Sequence, residues 1–189
     1  MFSEDKRQIV HIGLFILAFL LKFLVRWQAA VLLLLLLIFT LAIVPKLRFK
    51  NYFYRHFEKK YSEGAVLYFL VLFVLVLIFP LYIVAASWAI LALGDGSATL
   101  IGKHFKCREL PWNRHKTIAG SLAFFIFGTL GAVVLLKWML PDLSFWAALV
   151  VAVKSVIIAA LVESLPLRIN DNVTVTVTSA VVMYLLKIV

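Results

Sequence analysis

The segment Gly94-Asp95-Gly96-Ser97-Ala98-Thr99 places a carboxylate within an otherwise apolar stretch of chain. Charged side chains in such stretches are costly, so Asp95 is a candidate functional residue. The flanking Gly94 and Gly96 remove side-chain bulk and would let the backbone approach a ligand closely. A carboxylate in this setting usually holds a cation, because a lone charge there would be protonated. The alternative is a packing face of small residues, on which Asp95 pairs with a neighbouring helix.

A second polar cluster, Lys116-Thr117-Ile118-Ala119-Gly120-Ser121, opens another apolar stretch. A lysine at a helix N-terminus opposes the helix macrodipole unless a bound anion satisfies both. Thr117 can cap this helix, and free N–H groups around Gly120 and Ser121, together with Lys116, would form a phosphate cradle. Lys116 is equally well explained as one more cationic residue beside a membrane segment.

A third cluster of charged residues and amides lies between the last two apolar stretches: Glu163, Arg168, Asn170, Asp171 and Asn172. Either Asn170 or Asp171 would also make a good helix cap. Two acids, a lysine at a helix start and several amides are together the groups that Mg²⁺-dependent phosphate chemistry requires. The sequence contains no Walker loop and no HExxH, GxSxG or paired CxxC motif.

The elements that must position these clusters are membrane helices. Of the 189 residues, 65% are hydrophobic and 15% charged, whereas soluble domains average about 45–50% and about 25%. This composition excludes a water-soluble enzyme, a disulfide-stapled secreted module and a disordered tail. It predicts an all-α integral membrane protein, a single domain over 1–189 built from about seven transmembrane helices of about 20 residues each. The predicted spans are 9–25, 28–44, 64–79, 81–101, 117–140, 144–163 and 172–188.

The distribution of basic residues predicts the orientation. Placing the N-terminus in the cytoplasm and the C-terminus outside puts most of the 19 lysines and arginines on the cytoplasmic side, as the positive-inside rule requires. All three polar clusters then lie at the cytoplasmic face. The net charge of +10 is explained by these cationic loops rather than by binding to nucleic acid.

Two further features of the membrane segments are open to prediction. The aromatics Phe49, Phe53, Phe57 and Tyr61 recur every four residues, which suggests an amphipathic interfacial helix over 45–63; an ordinary cationic loop is the alternative. Lys154 lies within the sixth span, where an unpaired ammonium is costly, so it is predicted to face the bundle interior and have a partner there.

The order of the motifs resembles that of a known superfamily. The run Gly94-Asp95-Gly96-x-Ala98-x-x-x-Gly102-Lys103, then Pro111 and Lys116-Thr117-x-x-Gly120-Ser121, resembles the CTP-transferases, which comprise phosphatidate cytidylyltransferases and CTP-dependent lipid kinases. Glu163-Ser164-Leu165-Pro166 followed by Asp171-Asn172 is more similar to the kinase branch of dolichol, phytol, farnesol and diacylglycerol kinases. Glu4-x-x-Arg7-x-x-x-His11 is similar to the N-terminal motif of that branch.

The resemblance implies transfer of the γ-phosphate of CTP to the hydroxyl of a membrane lipid alcohol, giving a lipid monophosphate and CDP. Asp95 and Asp171 would hold Mg²⁺ or another divalent cation, and Asp95, Lys116, Glu163 and Asp171 would be the catalytic residues. Arg7 and His11 would be accessory, and Asp95, Glu163 and His11 are candidate general bases. The implied nucleotide-binding residues are Gly94, Gly96, Ser97, Lys103, Thr117, Gly120, Ser121, Arg168 and Asn172.

Two other functions stay open at this point. One is a cytidylyltransferase that makes a CDP-lipid and pyrophosphate from the same nucleotide. The other is a non-enzymatic ion-coupled transporter or scaffold, in which Asp95 would bind the coupling ion. For the kinase, the expected partners are CTP, a lipid alcohol and the bilayer, and a homodimer is compatible with the sequence.

Overall fold

Helices account for most of the structure. The computed structural model describes residues 4–48, 50–54, 58, 60–105 and 108–187. The α-helices are α1 Glu4–Gly13, α2 Phe15–Ala18, α3 Arg26–Ile38, α4 Glu63–Ile78, α5 Leu81–Ala89, α6 Gly96–His104, α7 Ile118–Met139, α8 Phe145–Ser164 and α9 Asp171–Leu185. Short 3₁₀ or π turns extend several of them, at Phe19–Phe23, Phe39–Ile43, Val44–Lys46, Lys50–Tyr52 and Ile90–Asp95.

Four helical stretches are long and apolar enough to cross a bilayer: Arg26–Lys46, Leu81–His104, Ile118–Met139 and Phe145–Ser164. The helices α4 and α9 have 16 and 15 residues, which is slightly short for a span of about 17–25 residues. The predicted all-α membrane architecture is therefore confirmed in its coarse form, whereas the seven spans and the orientation stay predictions.

The first predicted span differs from the structure. Helix begins at Glu4 rather than near residue 9, because Glu4 and Asp5 in the first turn favour a helix N-terminus there. It is interrupted after Gly13, a residue of low helix propensity, and continues as α2 and a 3₁₀ segment that ends at Phe23.

The stretch Leu81–His104 is the central element of the bundle, since 78% of its most apolar window is buried. Small residues allow this close packing, and Ala85, Ala86 and Ala89 are all fully buried. Trp88 is also fully buried, and its indole Nε1 donates a hydrogen bond of 2.7 Å to the hydroxyl of Tyr68 in α4. This bond satisfies the polar group of a large core residue.

The loop after α6 is more ordered than the sequence indicated. It forms an antiparallel β-hairpin of β1 Glu109–Leu110 and β2 Asn113–Thr117. The amide of Asn113 donates a 3.1 Å hydrogen bond to the carbonyl of Ser164 at the end of α8. The hairpin is thus held against the bundle by a contact that no local sequence pattern reveals.

The interfacial helix predicted over 45–63 is not a continuous helix. Its described part contains only the 3₁₀ turns Val44–Lys46 and Lys50–Tyr52, and the Ser62 hydroxyl donates a 2.6 Å hydrogen bond to the carbonyl of Phe53, which closes a loop. A proline near its start removes a backbone donor that a regular helix would use. Phe49, Phe57 and Lys59 lie outside the described residues.

The prediction for Lys154 is wrong, because its side chain is exposed rather than directed into the bundle. Glu163 follows nine residues later in the same helix, and steps of about 100° per residue place the two on opposite faces. Glu163 faces the interior and is 2% exposed, so Lys154 must face outward.

The predicted orientation can be tested with single cysteines in a background where Cys107 is replaced by serine. Arg114 in β2 and Asp142 between α7 and α8 are both exposed, and α7 separates them by about 33 Å. We expect an impermeant thiol reagent to label R114C only from the cytoplasmic side and D142C only from the outer side, measured in sealed vesicles of both orientations. The reverse labelling pattern would show that the orientation is inverted.

Candidate active site

Four charged side chains from four different elements meet at one end of the bundle. Asp95 ends the π turn after α5, Lys116 lies in β2, Glu163 is in the last turn of α8, and Asp171 begins α9. One carboxylate oxygen from each acid lies within 4.8 Å of the others. The ammonium of Lys116 donates a 2.8 Å hydrogen bond to Asp171 Oδ2 and a second one to Glu163 Oε1. The structure thus brings together the four residues predicted as catalytic.

The position of Asp95 depends on the π turn Ile90–Asp95. A π turn interrupts the regular bonding of an α-helix and is frequent at functional sites. The imidazole of His11 in α1 lies 3.1 Å from the Leu91 carbonyl through Nε2, and the same nitrogen lies 3.8 Å from Asp95 Oδ2. His11 therefore contacts both the distorted backbone and the carboxylate that the distortion presents.

The position of Asp171 follows from how α9 begins. Asn170 is the cap, because its side-chain oxygen accepts a 3.1 Å hydrogen bond from the backbone N–H of Asn172. The carboxylate of Asp171 is consequently left to bind Lys116, and the positive end of the helix dipole favours its charge. Of the two capping residues that the sequence allowed, the structure uses Asn170.

The electrostatics of the cluster are dominated by its acids. Burial by itself would lower the pKa of Lys116, but the nearby carboxylates of Asp95, Glu163 and Asp171 outweigh it and raise that pKa above its usual value. With all groups ionised, three carboxylates and one ammonium leave two negative charges, which one divalent cation would balance.

The donor set also fits a hard divalent cation. Mg²⁺ binds oxygens at about 2.1 Å in octahedral geometry, so its ligand oxygens lie about 3 Å apart when adjacent and about 4 Å apart when opposite. The carboxylate oxygens of the three acids lie within 4.8 Å of one another, so side-chain movements of about 1–2 Å would let them share one ion. Asp95, Glu163 and Asp171 are therefore the residues that could hold a metal ion.

A cavity of about 230 Å³ with a mixed lining, here called the polar cavity, adjoins the cluster. Its polar lining comes from two lysines, a histidine and hydroxyl side chains, which suits an anionic ligand: Lys103, His115, Lys116, Thr117 and Ser121. Lys103 also donates a 2.6 Å hydrogen bond to Asp5 in α1, and this bond lowers the pKa of Asp5 below its usual value.

Two glycines allow the helices around this cavity to approach closely. A Cβ at Gly102 would lie 2.9 Å from Thr117 Oγ1, and a Cβ at Gly120 would lie 2.9 Å from the Ala98 carbonyl oxygen. Both distances are too short for a side chain, so α6 and the start of α7 can meet only because these residues are glycine. Both glycines line the cavity.

The N-terminus of α7 does not offer a row of free backbone N–H groups. The N–H of Ile118 donates to the Arg108 carbonyl at 3.1 Å, and the N–H of Gly120 donates to Thr117 Oγ1 at 3.1 Å. The predicted backbone phosphate cradle is therefore largely engaged within the protein, because the hairpin and the cap use these donors. Any anion bound here would therefore be held mainly by side chains.

Both glycines of the Gly-Asp-Gly motif, and Ser97 after it, serve packing instead of lining the cavity. A Cβ at Gly94 would lie 3.4 Å from the Phe124 ring, and one at Gly96 would lie 2.5 Å from Ile12 Cγ1. The Ser97 hydroxyl donates a 3.1 Å hydrogen bond to the carbonyl of Gly94. The alternative of a small-residue packing face is thus correct for these residues, but not for Asp95.

The remaining predicted ligands also point elsewhere. The amide of Asn172 donates a 2.7 Å hydrogen bond to the carbonyl of Gly64 and joins α9 to α4. Arg168 is exposed in the turn before α9. Arg7 pairs with Glu4 of its own helix. None of the three lies at the four-residue cluster among the described residues.

Sequence reasoning missed His115 as a cavity residue and Trp112 as part of the hairpin that closes this end. The position of His115 directly before Lys116 was the signal that could have indicated it. Trp112 donates a 3.2 Å hydrogen bond from Nε1 to the Ser164 hydroxyl, a contact that depends on tertiary structure.

Comparison with known proteins identifies the relatives of this chain. It is 31% identical over 132 residues to the probable phytol kinase 1, chloroplastic, of Glycine max, matching 65% of this chain and 43% of that protein. It is 35% identical over 105 residues to the farnesol kinase, chloroplastic, of Arabidopsis thaliana, matching 51% of this chain and 33% of that protein. The chain is thus similar in sequence to phytol and farnesol kinases. The resemblance found in the motifs is thereby confirmed.

The phytol kinase 1, chloroplastic, of Arabidopsis thaliana is 33% identical over 106 residues, matching 52% of this chain and 34% of that protein. The chain spans less than half the length of these kinase relatives. No family model matches the chain, and no solved structure matches it.

The ion pairs of Lys116 with Glu163 and Asp171 lead to a stability prediction. Lys116→Met removes the ammonium and leaves three carboxylates close together. Breaking a buried ion pair lowers the free energy of unfolding by about 3–5 kcal/mol. Because the Lys116 side chain is 22% exposed, we expect a loss near the lower end of that range. We expect added Mg²⁺ or Mn²⁺ to restore part of the lost thermal stability, measured by thermal unfolding in detergent.

Lys154→Met is the matched control, because this exposed lysine lies in α8 away from the cluster. Its stability should not depend on divalent cations more than that of the parent. Equal cation dependence of the parent and both variants would show that the acids do not bind a metal ion.

Proposed function

We propose that this protein is a CTP-dependent kinase that transfers the γ-phosphate of CTP to the hydroxyl of a membrane lipid alcohol. The observation that carries the proposal is the cluster of Asp95, Lys116, Glu163 and Asp171 beside a polar, cation-lined cavity. The names of the related phytol and farnesol kinases support a lipid alcohol as the acceptor. The choice of CTP rests on the motif resemblance, and the cytoplasmic location of the site rests on the distribution of charge.

In this proposal, the acids and the cationic side chains have separate tasks. Asp95 and Asp171, with Glu163 beside them, would hold Mg²⁺, whose chemistry is to neutralise charge on the phosphate oxygens. Lys103, His115 and Lys116 line the cavity in which the triphosphate would lie. Phosphoryl transfer depends mainly on positioning and electrostatic stabilisation, so no covalent enzyme intermediate is needed.

The reaction forms one bond and breaks another. The acceptor oxygen bonds to the γ-phosphorus, the bond from that phosphorus to the β-phosphate oxygen breaks, and CDP leaves. The hydroxyl proton passes to one of three nearby bases, Asp95, Glu163 or His11. Lys116 already engages Glu163, whereas Asp95 has the His11 imidazole 3.8 Å away.

The position of the radioactive label in CTP distinguishes this proposal from its alternatives. Purified protein in lipid nanodiscs is incubated with CTP labelled at either the α- or the γ-phosphate, a panel of lipid alcohols and phosphatidate. A kinase moves only the γ-label into the lipid and releases CDP. A cytidylyltransferase moves the α-label and releases pyrophosphate, and a transporter or scaffold moves neither.

Asp95→Asn should lower the rate by at least about 10²-fold, because it keeps the shape of the side chain but removes a charge at the reacting phosphates. The measurement is γ-label transfer at limiting Mg²⁺, with membrane insertion and thermal stability checked on the same samples. Asp142→Asn, at an exposed position between α7 and α8, is the control and should keep the parent rate. A near-parent rate for Asp95→Asn would remove this residue from the site.

Lys103→Ala should raise the KM for CTP by about 10–100-fold, the effect of losing a charge-assisted hydrogen bond. Arg168→Ala should change it little, because Arg168 is exposed and does not line the cavity. Asp5→Ala is the second control, since it removes the ion pair to Lys103 but keeps the ammonium. An equal rise in KM for Asp5→Ala and Lys103→Ala would show that Lys103 acts only through the attachment of α1.

A further inference from the structure

A second cavity adjoins the polar one and is much more apolar. It is a groove of about 240 Å³ between α7 and α8, with almost entirely apolar lining, and the hairpin forms its upper end. Phe125 lines it from α7, Ile157, Ala160 and Leu161 line it from α8, and Trp112 lines it from the hairpin turn. Both helices are long and apolar enough to span a bilayer, so the groove is open to the hydrocarbon of the membrane.

Ser121 connects the two cavities, because it lines both the polar cavity and the apolar groove. Its hydroxyl oxygen is buried and has no hydrogen-bond partner among the described residues. Leaving a buried hydroxyl unpaired costs free energy. A bound molecule with its own hydroxyl at this junction would satisfy it.

We propose that this groove holds the hydrocarbon chain of the acceptor alcohol, with the alcohol hydroxyl at Ser121 and directed toward the polar cavity. The inference rests on the proposed function, and it adds where the acceptor binds and which residues select it. A molecule with one polar end and a long apolar body matches a polar cavity continuous with an apolar groove. From Ser164 to Ile157 the groove follows α8 for about 10 Å, and the rest of the chain lies in the bilayer.

The hairpin fixes the upper wall of the groove. The Trp112 indole donates to the Ser164 hydroxyl at 3.2 Å, and that hydroxyl donates to the Leu161 carbonyl at 2.7 Å. Asn113 adds a 3.1 Å bond to the Ser164 carbonyl. Trp112 is thereby held over the end of α8, where its ring contacts the first carbons after the hydroxyl.

Ala160→Phe tests the groove by filling it. We expect the KM for a long-chain alcohol to rise by about tenfold or more, since about two methylene groups lose their contacts. The KM for CTP should stay within about twofold, and a short-chain alcohol should be affected less. Ala147→Phe is the matched control, since Ala147 is a partly buried alanine at the opposite end of α8 and does not line the groove. A rise in the CTP KM alone, or equal effects of the two variants, would overturn the proposal.

Ser121→Ala tests the junction separately. It keeps the backbone but removes the hydroxyl, so the KM for the alcohol should rise several-fold while the KM for CTP does not. A larger effect on the KM for CTP would assign the hydroxyl to the nucleotide instead, and the placement of the alcohol at Ser121 would be wrong.

A binding measurement separates this inference from the proposed function. The parent protein in nanodiscs is photolabelled with a long-chain alcohol that carries a diazirine in its hydrocarbon, with and without unlabelled alcohol as competitor. Competed labelling of α7, α8 and Trp112 supports the groove even if no phosphate is transferred, in which case only the proposed function fails. Phosphate transfer together with labelling elsewhere would show that the alcohol does not bind in the groove. Labelling of the groove that a diazirine phospholipid equals, and that unlabelled alcohol does not compete, would show the same. Either result leaves the proposed function intact.

Discussion

The ammonium of Lys116 among the carboxylates of Asp95, Glu163 and Asp171 is the interaction on which this end of the bundle depends. Asp95 and Glu163 are buried, and a buried charge alone is costly to remove from water, so their burial is tolerable only with the ammonium of Lys116 nearby. They come from a π turn, a β-strand and two helices, so four elements must meet at one point. The hairpin is attached to α8 through Asn113, and this contact brings Lys116 to the acids.

Small residues set how closely these elements approach. In a membrane, lipid is as apolar as a helix surface, so helices associate through close packing rather than through hydrophobic burial. Gly102 and Gly120 have no room for a Cβ. Gly94 and Gly128 lie against each other where the π turn packs on α7, and a Cβ at Gly128 would lie at an ordinary contact distance of 3.6 Å from the Gly94 Cα. Bulkier residues would separate α6 and α7 and widen the cluster. The glycines of the motif thus act on the chemistry by fixing distances between charged groups.

Hydropathy and residue chemistry predicted part of this arrangement, and tertiary contacts decided the rest. The predicted spans 64–79 and 117–140 agree closely with Glu63–Ile78 and Ile118–Met139, because a long apolar run between polar residues has few alternatives in a bilayer. The four charged residues of the cluster were also predictable, since charges beside apolar helices are costly without a purpose. The π turn was not predictable, because it involves a contact between His11 and the Leu91 carbonyl, which are 80 residues apart in the sequence. The hairpin contact with Ser164 and the packing of Asn172 against Gly64 depend on tertiary structure in the same way.

Among the three acids of the cluster, Asp95 is the one that lies within a helical stretch rather than at its end. Glu163 and Asp171 lie at helix ends, and the helix dipole of α9 favours the acid at its start. Asp95 lies nine residues before the end of Leu81–His104, hence about 13 Å along the helix. The π turn Ile90–Asp95 interrupts the regular bonding of the helix there, and its Leu91 carbonyl lies 3.1 Å from His11 Nε2. The same nitrogen lies 3.8 Å from Asp95 Oδ2, so one imidazole joins α1 to both the distorted backbone and the acid at the end of that turn.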